Sequence, residues 1–346
     1  MPNNQNQHAS VLLEMKMEPI NPDFCLGCTP NIEQARKAQK EGYPSDIELR
    51  DALHGIPCPW SATKQPIVTT WDEVREQVER DAEICDKLRA AGQLPPWWER
   101  MEKLGLKYDD LFHPTQFYTD CAGISFYERC YLIQLLKQIS RGSEQKIEKV
   151  NPFVTWAQSK GGSRWGGQTI AAGQVYGARV GVYPASVVGD YTADLRYKTK
   201  WESGEFIAAA NQRQVQTCTV DLDGDELIDA IDLLLRSDRV VQIGNGIAVR
   251  GETTDSNGVN VAEIGGYWSH ATCLTEILVI LGTVYYRWDN THGNRYSGQH
   301  GPKTGTLMRR SELRSFVGSN FHDTAGFMWV ESPHGTTNLN LNSPEA

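Results

Sequence analysis

The sequence predicts an α+β protein, and three observations carry that class. Capped stretches with helical spacing of apolar residues dominate from Thr70 to Ile139. From about Leu111 one long helix, a Gly-rich stretch and further helices alternate, and short Val/Ile/Tyr-rich strands collect toward the C-terminus. With 346 residues, 40% of them hydrophobic, 31 Gly, 16 Pro, 10 Trp, 13 Tyr and 9 Phe, the chain has the composition of one large or two ordinary folded domains.

Taken in order, residues 1–69 are rich in Pro, Asn and Gly and read as an extended arm, with short helices expected over Ile32–Lys40 and Asp46–His54. A stronger helix starts at Thr70, where Thr-Trp-Asp-Glu73 forms a capping box before apolar Trp71, Val74, Val78, Cys85 and Leu88, and Gly92 stops it. Pro95-Pro96 opens another helix through Trp97, Met101 and Leu104, which Gly105 ends. Residues 1–110 are therefore expected to be a docking or assembly arm, 111–335 a catalytic-type domain and 336–346 an Asn-rich tail.

The net charge of −9 and the lack of a basic stripe argue against a grip on nucleic-acid backbones. The longest apolar run, Ile277 to Leu281, falls far short of the roughly 20 residues that span a bilayer, so no membrane segment is expected. The first 13 residues lack a signal-peptide pattern. Eight scattered cysteines fit reduced thiols better than a disulfide framework, and the expected setting is the cytoplasm or a virion.

The most informative stretch is Gln116-Phe-Tyr-Thr-Asp-Cys121, followed by the helical pattern Leu132, Leu135, Leu136, Ile139. It places Cys121 at a helix start, where unpaired amides and the positive end of the helix dipole favour the reactive thiolate. Such a nucleophile needs a base and an orienting group. His270, 149 residues on, precedes a strand-like run, and Asn290 follows the next one.

In this order and context the chain resembles the papain-like cysteine peptidases, whose Cys–His separation is roughly 130–150 residues. Gly161-Gly-Ser-Arg-Trp-Gly-Gly167, the helix Ile170–Val182 with Tyr183-Pro184, and Asp225–Leu235 followed by Val240–Ile243 are similar to that family's later segments. The likeness runs from about Leu111 to Trp329. It implies a helical half and an antiparallel β half, with Cys121 as nucleophile, His270 as base and Asn290 as the group that holds the imidazole. Gln116 and the Cys121 amide would be oxyanion donors.

The implied activity is a thiol hydrolase, a peptidase or amidase, that acts on a protein or peptide through an acyl-enzyme. The sequence departs from the family at three points. Ala122 stands where an aromatic residue is usual, Gln116 is one residue nearer the Cys, and His292 occupies the place of the aromatic ring that covers the Asn–His pair. The alternative is a structural protein of a viral or phage particle built on the same module, assembling as a homo- or hetero-oligomer through its arm.

Other signals are weaker. Cys25, Cys28, His54 and Cys58 have spacing that zinc accepts, though free thiols and a surface His explain them more simply, and no cofactor is expected. Asp221, Asp223, Asp225 and Asp232 partly imitate a calcium loop, but Glu226 replaces its Gly, so an acidic first helical turn is the simpler reading. Gly161, Gly162, Gly166 and Gly167 lack the Lys-Ser/Thr of a phosphate loop. Arg309, Arg310 and Arg314 read as the solvated face of a helix.

Overall fold

The computed structural model describes residues 68–330, apart from positions 114, 119, 144, 160–167, 169, 196–203 and 318–324. The short helices expected at Ile32–Lys40 and Asp46–His54, the cluster Cys25, Cys28, His54 and Cys58, the loop Gly161–Gly167 and the tail lie outside the described residues.

A short strand, β1 (Val68–Thr70), leads into α1 (Trp71–Ala90). The Glu73 carboxylate accepts from the Thr70 amide at 2.6 Å and from its hydroxyl at 2.9 Å, as the capping signature predicts. Gly92, at φ +70°, ends that helix in the left-handed conformation that glycine adopts without strain. Helices α2 (Trp97–Lys103) and α3 (Tyr108–Leu111) follow.

The central helix begins as α4 (Cys121–Gly123), widens into a π-helical stretch over Ile124–Cys130 and continues as α5 (Tyr131–Ile139). Around it lie α6 (Pro152–Gln158), α7 (Ile170–Arg179), α8 (Ala185–Val188) and α9 (Gly204–Asn211). This helical half packs around Phe126, Tyr127, Leu132, Ile133, Phe153 and Trp156.

The second half is built on β2 (Val215–Val220), α10 (Gly224–Arg236), β3 (Val241–Thr254), β4 (Asn260–Ile280), β5 (Thr283–Asp289), β6 (Gly305–Arg309), α11 (Arg310–Val317) and β7 (Ala325–Val330). Strand order is β1-β2-β7-β3-β4-β5-β6, antiparallel except for the parallel β1–β2 pair and a parallel β4–β6 contact. Register shifts along the β3–β4 ladder bend the long β4, so that its start also meets β6 through Val261 and Leu307. The class is α+β, with helices segregated from an antiparallel-dominated sheet.

Residue 110 is not a packing boundary. Trp97 and Met101 of α2 sit in the core of the helical half, whereas Trp71, Val74 and Val78 of α1 share the other core with Leu227, Ile231, Leu274 and Trp288. A lone helix cannot bury its apolar stripe by itself, so both borrow the cores of their neighbours.

A buried ionic cluster ties α2 down further. Arg100 forms paired hydrogen bonds with Asp238 at 2.8 and 2.7 Å, and Lys137 and Arg141 lie 3.4 and 2.7 Å from the same carboxylate. Glu276 stands 3.4 Å from Lys137 and accepts from the Trp97 amide at 3.1 Å.

The acidic start of α10 has an ionic role. Arg314 pairs with Asp225, Arg310 with Asp229 and Arg309 with Glu312, and the Tyr286 hydroxyl donates to Asp232 at 2.8 Å. Arg310 and Arg314 bridge α11 to α10, so they do more than decorate a solvated face, whereas Arg309 pairs within its own turn at the start of α11. Among the described residues no helix is long and apolar enough to cross a membrane, and no three His, Cys, Asp or Glu side chains group as metal ligands.

Candidate active site

Cys121 is the first residue of the central helix and is fully buried. Its helix start is packed from below: a Cβ on Gly123 would fall 2.6 Å from Cβ of Trp156, so only glycine lets α4 and α6 approach this closely. From the sheet side, Gln242 of β3 donates its amide to the Ala122 carbonyl at 3.0 Å and to the Ser125 hydroxyl at 2.7 Å. Local sequence gives no hint of Gln242, because its role rests on pairing across more than a hundred residues.

The sheet brings His270 alongside. His270 lies within β4, and the amide of the next residue, Ala271, donates to the Cys121 sulfur at 3.4 Å. Asn290 follows directly after β5, which runs antiparallel to β4 with Cys273 opposite Asp289. The Asn290 Oδ1 accepts from the Thr291 amide at 2.7 Å and meets His270 Nε2 at 2.8 Å. An oxygen that accepts from a backbone N–H is fixed as the carbonyl oxygen, so the ring nitrogen facing it must donate. His270 is thereby held as the Nε2–H tautomer, with Nδ1 as its basic nitrogen.

Gln116 does not stand as the resemblance implies. Its side-chain oxygen accepts from the Thr291 hydroxyl at 2.6 Å, and its amide nitrogen donates to the Tyr118 carbonyl at 2.5 Å. Together with the Gln116 amide bond to the Thr291 carbonyl, at 2.8 Å, these contacts join the segment before Cys121 to the segment after Asn290. The one-residue shortening between Gln116 and Cys121 accompanies this inward-turned arrangement.

A second clamp holds the segment before the thiol. His113 carries Glu128 on Nδ1 and Asp190, at 2.7 Å, on Nε2. The neighbouring Tyr191 hydroxyl accepts from the Phe117 amide at 2.8 Å and donates to Asp120 at 3.2 Å. The loop at 190–191 therefore grips residues 113–120 just before the thiol. A lone His before a Pro has no local signature that would reveal this.

The histidines are shifted in opposite directions. Burial, opposed by the Asn290 hydrogen bond, holds His270 down to about 4. Burial also acts to lower His113, but the Glu128 hydrogen bond and charge, with the Asp190 bond, outweigh it and raise this group. For His270 the depressed value means that stability is fully present above the unfolded value near 6.5 and is lost as pH falls toward 4, by about 3 kcal/mol. For His113 the sign reverses: its contribution is present below pH 6.5 and disappears as pH rises through the raised folded value. Urea midpoints across pH should decline on both sides, and His113→Gln should flatten the alkaline decline alone. An unchanged alkaline side in that variant would refute the assignment.

No family model and no curated protein matches the chain. Among solved structures it is similar to procathepsin L 3 of the Tenebrio molitor larval midgut, at 12% identity over 86% of this chain and 87% of that one, with a TM-score of 0.42. It is also similar to procathepsin B S9 from Trypanosoma congolense, at 11% identity over 67% and 76% of the two chains and a TM-score of 0.40. A recombinant stem bromelain precursor gives 12% identity, 65% and 68% coverage and a TM-score of 0.40.

Proposed function

We propose that the protein is a papain-like thiol hydrolase, a peptidase or amidase, with Cys121 as nucleophile. The observation that carries this reading is the fixed tautomer of His270: Asn290 takes Nε2, so the nitrogen left to address a thiol is the basic Nδ1, on a strand whose next amide touches the Cys121 sulfur.

In the reaction the Cys121 proton passes to His270 Nδ1 and the sulfur attacks the acyl carbon of an amide. The Cys121 backbone N–H, at the open end of a helix, is the donor best suited to the resulting oxyanion. Collapse of the tetrahedral species expels the amine, which takes the proton from His270. Water, deprotonated by the same nitrogen, then attacks the acyl carbon, the C–S bond breaks, and the proton on His270 returns to the Cys121 sulfur. Because burial keeps His270 uncharged at neutral pH, the ring begins the cycle able to accept that proton.

A small acyl donor suits the buried thiol. A thioester-forming probe should label the wild-type chain on Cys121, identified by peptide mass, and fail to label Cys121→Ala. Equal labelling of the two would remove Cys121 as the nucleophile.

A further inference from the structure

Against the His270 ring that Asn290 holds, this chain places a second imidazole. The ring of His292 lies against that of His270, with centroids 4.3 Å apart and planes inclined by 32°. Its backbone is fixed by pairing with Thr115 and by the adjacent bond from the Gln116 amide to the Thr291 carbonyl, so the ring is carried at a set height above the base. The cationic groups that face it are His270 from β4 and Arg295 from its own loop. The 115–116 segment packed on its backbone carries no ionisable side chain. Of the acidic groups adjacent in sequence to the site residues, the Cys121 sulfur accepts from the Ala271 amide, Asp120 accepts from Tyr191 and Asp289 from Arg287.

We infer that His292 is a proton-sensitive cover on the base: uncharged, it stacks on His270 and shields the Asn290 bond, and protonated, it repels positive charge on His270. The inference rests on the hydrolase reading, since the reactive thiolate requires His270 to carry a proton. Two imidazoles this close share their protonation, and the steps belong to the pair. Burial, then His270 and Arg295, holds His292 well below the ordinary imidazole range, so the cover is neutral at neutral pH and becomes charged only in acid. An aromatic ring without a titratable nitrogen would keep its attraction for an imidazolium at every pH. The substitution of His at this place therefore narrows the acid side of the working range.

The test is the rate at which iodoacetamide alkylates Cys121 in the full-length chain, followed from about pH 4 to 9 in wild type, His292→Phe and His292→Trp. With each rate scaled to its own plateau, both variants should react severalfold faster than wild type at the acid end of the range, near pH 4, because their acid midpoint lies lower. Coincident acid limbs would overturn the inference. Ring titrations of the wild-type chain by NMR need no variant: His270 and His292 should respond to the same protonation steps, and independent titration of the two rings would also overturn it. Absence of Cys121 alkylation at any pH would sink the hydrolase reading together with this one, whereas a reactive Cys121 with unshifted limbs would sink the role of His292 alone.

Discussion

Replacing His270 by Ala is expected to slow acylation of Cys121 at pH 7 by about 10³-fold, the scale of a positioned general base. The thiol of the variant would keep its helix-start position and its contact from the Ala271 amide, since both are backbone features. What it loses is the acceptor for its proton, so the rate should recover as pH rises toward the ordinary thiol range. Stopped-flow measurement with an activated ester distinguishes this from misfolding, because a folded chain that lacks only the base regains activity in alkali. Asn290→Ala should cause a smaller loss at the same pH, for Asn290 orients the ring and takes no proton. A His270→Ala chain as fast as wild type at pH 7 would end the proposal.

The largest stability effect is expected at Asp238, far from the thiol. Asp238→Asn should cost about 3–5 kcal/mol, the range for removal of one partner from a buried ion pair. Asp238 is wholly buried among Arg100, Arg141 and Lys137, with Glu276 as the remaining nearby carboxylate. Burial disfavours its charge, yet Arg100, Arg141 and Lys137 hold it well below the usual carboxylate range. Asn keeps the shape and tolerates the left-handed backbone at φ 64°, so the substitution isolates charge from strain. Without it, the buried Arg100 and Lys137 and the partly buried Arg141 face one carboxylate, and the clamp on α2 opens. The measurement is the urea midpoint at constant m, and a change below about 0.5 kcal/mol would show that the hub contributes little.

Local rules reached far along this chain. The Thr70–Glu73 capping box, the stops at Gly92 and Gly105, and the helix beginning at Cys121 are set by interactions within one turn, and they stand where the sequence reading put them. So do the helix at Gly224–Arg236 and the strand after it. The division at residue 110 followed composition, whereas packing ignores it, because Trp71, Trp97 and Met101 found their burial in cores made by later residues. The inward turn of Gln116 and the His113 clamp were invisible for the same reason: their partners, Thr291 and Asp190, lie far along the chain.

The amino-acid order by itself determined the α+β class, the element that begins with Cys121, and the three residue types that a thiol hydrolase would need. Only the tertiary structure decided which nitrogen of His270 is basic, that His292 lies against it, and that Arg100, Lys137, Arg141 and Glu276 meet around Asp238. Helix starts and turns depend on neighbours within a few residues. Hydrogen-bond direction and buried charge depend on atoms that only the folded chain brings within a few ångströms of one another.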